Sequence, residues 1–446
     1  MKHYKEQLMH NIQNNKIKFY MKLKNIIKRC LFMSLTFMTG IVWSQNILYI
    51  NAREAEVLFL NQNLALIAEK MNVSIADAEI VQAKLWENPT LSVSDANFWA
   101  NKSQREELHE IGANGNVQFA VELSQLITTA GKRRKEVAVQ KVSKEIVIQE
   151  FGEMLRGLKT ELRKSINEII YLQKYETVLS GQVEVLSKLI NAYEKQVKDG
   201  NLSKAELLRL QSSSLEMENE LYQLKTELNS QLKTLKSLLN LPPASNIAVI
   251  PDADNTNVIL PTLQNLYSLA EENRPDLQLQ KLQTDFFAKT LKLEKARRVP
   301  DITLNANYDR YAGLWKNYFG VGLSFDLPFF NRNQGNIKAA GFAMEQSRYL
   351  EQQVQNEVFN EITEAHGNYE QSLKFYRKIS GNELLLELDK MLEVYTKNLL
   401  NRNISMLEFM DFMESYRTSK QIFLDTQKSV NNNFEELQYA VGIDIK

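Results

Sequence analysis

The sequence reads as a mainly α-helical chain with a small β part, built as an internal duplication, and three observations lead there. Glycine and proline are scarce, 16 and 8 of 446 residues, about 4% and 2% against a usual 7% and 5%, which argues against turn-rich β folds. The prolines at 89, 242, 243, 251, 261, 275, 300 and 328 leave 90–241 and 329–446 free of the strongest helix breaker. Short motifs also recur in the same order at offsets of 200–213 residues.

The first element is a leader. Residues 1–44 hold eight bases and one acid, and Met21-Lys-Leu-Lys runs into an apolar stretch from Cys30 to Trp43. That is the pattern of a secretory signal cut before Gln45, with translation starting at Met21. The stretch is too short to favour a spanning helix of about 20 residues. Cys30 opens the apolar run rather than ending it, so no lipid anchor is expected there.

Without the leader the chain keeps 46 bases and 53 acids, a formal −7, which excludes a nucleic-acid binder. No cysteine and only His109 and His366 remain downstream. Disulfides, thiolate metal sites and histidine-dependent triads have nothing to work with.

The repeat places one half at 45–242 and the other at 261–446, joined by a proline-rich linker, 243–260. Asn88-Pro89-Thr-Leu is echoed by Val299-Pro300-Asp-Ile. Phe119-Ala-Val-Glu-Leu-Ser124 is echoed by Phe319-Gly-Val-Gly-Leu-Ser324, and Gly200-Asn-Leu-Ser203 by Arg402-Asn-Ile-Ser405. Each half reads helix, strand, loop, strand, very long helix, turn, helix.

Four segments alternate apolar and polar residues: about 90–99, 117–127, 301–311 and 318–328. Each is about ten residues, the length of a transmembrane β-strand. Aromatics gather where strands meet loops, at Phe98, Trp99, Tyr308, Tyr311, Trp315 and Tyr318, as in an interfacial girdle. Four strands cannot close a membrane barrel, whose smallest form has eight, so spanning strands require an oligomer. The same period would also suit two half-buried hairpins of a soluble protein.

The stretch 131–198 carries apolar residues at helical spacing, such as Leu155, Leu158, Leu162, Ile166 and Ile169. At 1.5 Å per residue it is a rod of roughly 100 Å, which must pack lengthwise against others. It stops at Asp199-Gly200-Asn201, with Ser203 as N-cap of the next helix and Glu206 three residues on. Ser405 and Glu408 repeat that arrangement beyond a second tip at about 399–405.

On these motifs, together with Trp86-Glu-Asn-Pro89 and Leu327-Pro-Phe-Phe-Asn331-Arg-Asn-Gln-Gly335, the chain resembles the outer-membrane efflux protein family typified by TolC. It is most similar to the CzcC/CusC-type components of heavy-metal cation efflux systems. The resemblance implies a homotrimer with a 12-stranded β-barrel in the outer membrane over a 12-helix periplasmic α-barrel. It implies a passive, non-enzymatic conduit without cofactor, docked through a periplasmic adaptor (membrane fusion protein) onto an inner-membrane RND pump. It further implies a periplasmic gate: Glu408 and Asp411 as an acidic ring, Glu206 at the first tip, and Arg402 and Arg209 as counter-charges, around the tip residues Gly200, Ser203 and Ser405. The family's usual tip glycine is kept at Gly200 and replaced by Arg402.

Three other readings compete: a multidrug channel of the same fold, a secreted structural coiled coil or adhesin, and simple helix capping by Glu206 and Glu408. Met406, Met410 and Met413 share a helix face; thioethers suit Cu(I), but methionine also serves as adaptable packing.

Overall fold

The structure is a computed structural model that describes residues 47–96, 118–251, 260–312, 315–381 and 383–445, with 102, 103 and 106. The leader, Phe98, Trp99 and His109 lie outside the described residues. The chain divides into a small unit, residues 1–49 with 244–248, and a large one, 50–243 with 249–446. In the small unit the Leu48 amide donates to the Asn246 carbonyl at 2.8 Å. Strands β1 (Leu48–Ile50) and β4 (Ile247–Val249) form a two-stranded sheet.

The large unit is dominated by helices whose ends match their caps. Asn51 opens α1 (Ala52–Gln62) with a complete capping box to Glu54, and Asn63 caps α2 (Leu64–Lys84). The long rod α3 (Lys132–Lys198) runs 67 residues and returns as α4 (Lys204–Leu238). In the second part, α5 (Leu263–Asn273) and α6 (Pro275–Arg297) precede α7 (Gln334–Ser380), α8 (Leu384–Leu400) and α9 (Met406–Val441).

The second rod is therefore not continuous, unlike the single very long helix that the sequence suggests. It breaks between Ser380 and Leu384, whereas Ser180-Gly181-Gln182 passes through α3 without interruption. Gln182 is fully buried and its side-chain amide donates to the Met413 carbonyl at 3.3 Å.

The β part is one antiparallel sheet in the order β2 (Thr90–Ser94), β3 (Ala120–Ile127), β5 (Ile302–Ala312), β6 (Trp315–Ser324). The two expected hairpins are thus joined through β3 and β5. The fourth strand stops at Ser324 rather than 328: Ser324 faces Thr303, one residue from the start of β5, so at most one further pair could form.

The register sorts the faces. Leu91, Leu123, Ala306 and Val321 stand in one row, and Val93, Val121, Tyr308 and Phe319 in the next. Between them run Ser92, Glu122, Asn307 and Gly320. A Cβ on Gly320 would stand 2.5 Å from the Asn307 side-chain oxygen and 2.9 Å from the Tyr318 ring, so a larger residue there must displace those two side chains.

The helices pack in the matching order: α2 on α3, α3 on α6, α6 on α7. The buried core is not one ball but a series of clusters along the rods. One gathers Leu266, Tyr369, Phe434 and Leu437; another, near the tips, gathers Leu186, Leu210, Phe409 and Met413. Among the described residues no helix is long and apolar enough to cross a membrane.

Candidate functional site

Both helix tips are built by the same backbone device. After α3, the Gly200 amide donates to the Val197 carbonyl and the Asn201 amide to the Gln196 carbonyl. After α8, Arg402 and Asn403 donate in the same way to Leu399 and Asn398. This is the Schellman stop, which requires a left-handed residue; Gly200 (φ +73°) and Arg402 (φ +62°) supply it. The arginine does so at a cost of about 1–2 kcal/mol that glycine escapes.

The acidic residues then divide in role. The Ser203 hydroxyl accepts from the Glu206 amide at 3.3 Å, leaving the Glu206 carboxylate half-buried at the tip. The Glu408 carboxylate closes a full capping box, accepting from the Ser405 amide at 2.7 Å and from its hydroxyl at 2.9 Å. These bonds, the amide first, hold the Glu408 carboxyl below its ordinary range. Asp411 is exposed one turn on.

Arg402 does not reach Glu206. Its guanidinium donates to the Asn201 carbonyl at 3.2 Å and the Gln196 side-chain oxygen at 3.4 Å, tying the second tip to the first. Tyr193 lies in the fields of both Glu206 and Arg402; burial and Glu206 push its phenol up, and Arg402 opposes them. Arg209 is exposed and makes no ion pair among the described residues. Met406 and Met413 are buried in the tip cluster and Met410 packs against it.

Further along the rods lie polar links that sequence reasoning missed. The Tyr175 hydroxyl on α3 donates to Glu220 on α4 at 2.6 Å, and Arg417 on α9 donates to the other Glu220 oxygen at 2.7 Å. Burial and then Glu220 push the Tyr175 phenol far up. Asp389 on α8 accepts from Tyr416 at 2.9 Å and Lys420 at 2.7 Å, both on α9. The signal was present as charges flanking apolar seams, such as Glu220 between Met217 and Leu224.

At the other end, the sheet exposes its apolar face. Val321 is 79% exposed, Phe319 and Leu323 each 68%. Among the described residues, strands β2 and β6 have no neighbour on their outer edges. Of the expected girdle, Trp315 is exposed at the end of β6 and the Tyr308 hydroxyl donates to Asn317 at 2.8 Å. Tyr311 is described only by its pairing with Lys316. Tyr318 falls opposite Asp309 on the polar face, its ring beside Gly320, not on the apolar one.

Long helical hairpins carrying a four-stranded sheet with an exposed apolar face define the class of fold. The chain belongs to the outer membrane efflux protein family, whose model matches residues 57–241 and 266–377. It is 20% identical to the cobalt-zinc-cadmium resistance protein CzcC of Cupriavidus metallidurans over 286 residues, 63% of each chain. The match thus spans less than two thirds of that relative's length.

Its fold is similar to the Campylobacter jejuni CmeC outer membrane channel, with a TM-score of 0.72, 14% identity, and 89% of this chain and 86% of that one covered. CusC is a further structural neighbour, with a TM-score of 0.70, 16% identity, and 90% and 96% covered.

Proposed function

We propose that the chain is the outer-membrane channel of a tripartite efflux system, a passive trimeric conduit for heavy-metal cations. The observation that carries this reading is the four-stranded sheet: an apolar exposed face, a polar opposite face, and two unpaired edges. Three copies joined β6 to β2 give twelve strands with no free edge, and the apolar face then meets lipid while the Ser, Asn and Gly rows line the lumen. Because α2, α3, α6 and α7 follow the strand order, the same rotation continues the helices as a wall beneath the barrel, in the periplasm.

The conduit does no covalent chemistry. Its work lies in binding, gating and exclusion. Glu408 and Asp411, three residues apart on one helix face, present six carboxylates around a threefold axis and attract cations. Glu206 adds charge at the first tip, Arg402 latches one tip to the other, and Arg209 is free to meet a neighbouring copy. An adaptor and an RND pump supply substrate and energy. Residues 1–44 serve as export leader, and 45–242 and 261–446 are two copies of one ancestral repeat.

A metal cargo is supported by the relatives, one of which is named for cobalt, zinc and cadmium resistance. The test is the susceptibility of a strain lacking this protein to copper, silver, zinc, cobalt, cadmium and nickel salts beside a drug panel. Selective loss of metal tolerance is expected. Sensitivity to drugs alone would overturn the cargo and leave the channel.

A further inference from the structure

The polar face of the sheet carries few charges. One row reads Thr90, Ser124, Asn305 and Gly322, the next Ser92, Glu122, Asn307 and Gly320, and the next Ser94, Ala120, Asp309 and Tyr318. No lysine or arginine stands in these rows. By register the next cation on this face, Lys316, pairs with Tyr311, about 14 Å along the strand from the Glu122 row. Asp309 already has a partner. Glu122 is exposed and pairs with no cation among the described residues.

The depth of Glu122 matters as much as its charge. Ser92 is the middle residue of β2 and Asn307 of β5, so Glu122 between them stands halfway up the sheet. Its chain neighbours Val121 and Leu123 belong to the opposite, apolar face. A lone carboxylate at mid-depth of a spanning strand is tolerated where water reaches it, and it is the lumen-facing residues that tune selectivity. The rest of the row is short and uncharged: Ser92, Gly320, and Asn307, whose side-chain oxygen lies over that glycine.

We propose that Glu122 is a second cation-selecting residue of the conduit, three copies of it forming a ring of carboxylates at mid-barrel, in series with the acidic helix tips. This rests on the reading that three copies close the sheet into a membrane barrel. Three unit charges about 10 Å from the axis, screened over about 8 Å at physiological salt, favour cations over anions about threefold. In about 1 M salt the screening length falls to about 3 Å and the preference vanishes.

Reversal potentials of the full-length protein in planar bilayers test this. At about 0.15 M salt, Glu122→Gln should lower the cation-to-anion permeability ratio about threefold, and Glu122→Asp should keep it. In about 1 M salt both variants should match the unaltered protein. Glu122→Cys, combined with Cys30→Ser so that it is the single thiol, carries the test to channels already assembled. An impermeant anionic methanethiosulfonate should restore the ratio, and a cationic one should lower it further. A ratio that Glu122→Gln leaves unchanged at low salt, or that the two reagents shift alike, would overturn the proposal. No conducting channel from the unaltered protein, or a thiol whose mass neither reagent changes in channels that conduct, would instead overturn the barrel reading beneath it.

Discussion

Arg402 sits in a left-handed conformation that glycine adopts freely, and from there its guanidinium donates to the Asn201 carbonyl of the other helix tip at 3.2 Å. The two facts belong together: the arginine accepts backbone strain and gains a link between hairpins. Arg402→Gly is expected to relieve about 1–2 kcal/mol of strain and Arg402→Ala to relieve none, while both lose the link. Hydrogen exchange over 397–405 should be faster in the alanine variant than in the glycine one. Both should raise single-channel conductance in planar bilayers; unchanged currents in both would remove the latch.

The acidic ring makes a separate prediction. Glu408→Ala with Asp411→Ala should reduce cation over anion selectivity in planar bilayers, and Asp411→Ala alone should do part of this without loosening the α9 cap. Reversal potentials under a salt gradient measure it. Glu408→Ala alone also breaks the capping box, so its effect on selectivity is separated by the Ser405→Ala variant.

Acid should loosen the same turn. The Glu408 carboxyl is held below its ordinary value of 4.5 by the Ser405 amide and hydroxyl. A lowered folded pKa gives stabilisation that is fully present above the ordinary value and lost as pH falls through the folded one. Amide exchange at 405–409, corrected for its intrinsic pH dependence, is therefore expected to rise below about pH 4.5, and Ser405→Ala should flatten that rise.

Stability is concentrated elsewhere, around Arg274. It is 2% exposed and donates to Asp276, to Glu361 at 2.8 Å and to the Ala440 carbonyl at 2.8 Å. Burial works to raise the Asp276 carboxyl, but the Arg274 bonds and charge outweigh it and hold it below its usual range. Arg274→Met should cost about 1–3 kcal/mol, since it leaves the buried Ala440 carbonyl and the partly buried Asp276 carboxylate without their donor, while the exposed Glu361 loses little. Gly442→Ala strikes the same residue, because its Cβ would stand 2.9 Å from Arg274 Cγ at φ +87°. Thermal melts of both variants should fall well below wild type.

Much of this was legible in the chain because the periods are strict. Strand β3 alternates through Val121 and Leu123 and β5 from Ile302 to Tyr308, with Gln125 and Leu126 breaking the pattern at the end of β3, and the Gly200 stop and Ser405–Glu408 box announce themselves locally. What failed to read was tertiary. Ser180-Gly181-Gln182 and Ser380-Gly381-Asn382 look alike, yet α3 runs through the first, with Gln182 buried and bonded to the Met413 carbonyl, while the helix ends at Ser380. Tyr175, Glu220 and Arg417 come from three helices, and no spacing along the chain brings them together. Tyr318 reads as a girdle aromatic until the register turns it to the polar face.

The most direct measurement is on the purified full-length protein: its mass in detergent and its current in a planar bilayer, with no pump, adaptor or nucleotide present. The account predicts a heat-sensitive trimer that inserts spontaneously and gives uniform, cation-selective steps. A monomer that binds the bilayer surface without conducting, its sheet edges protected by some other fold-over, would contradict it.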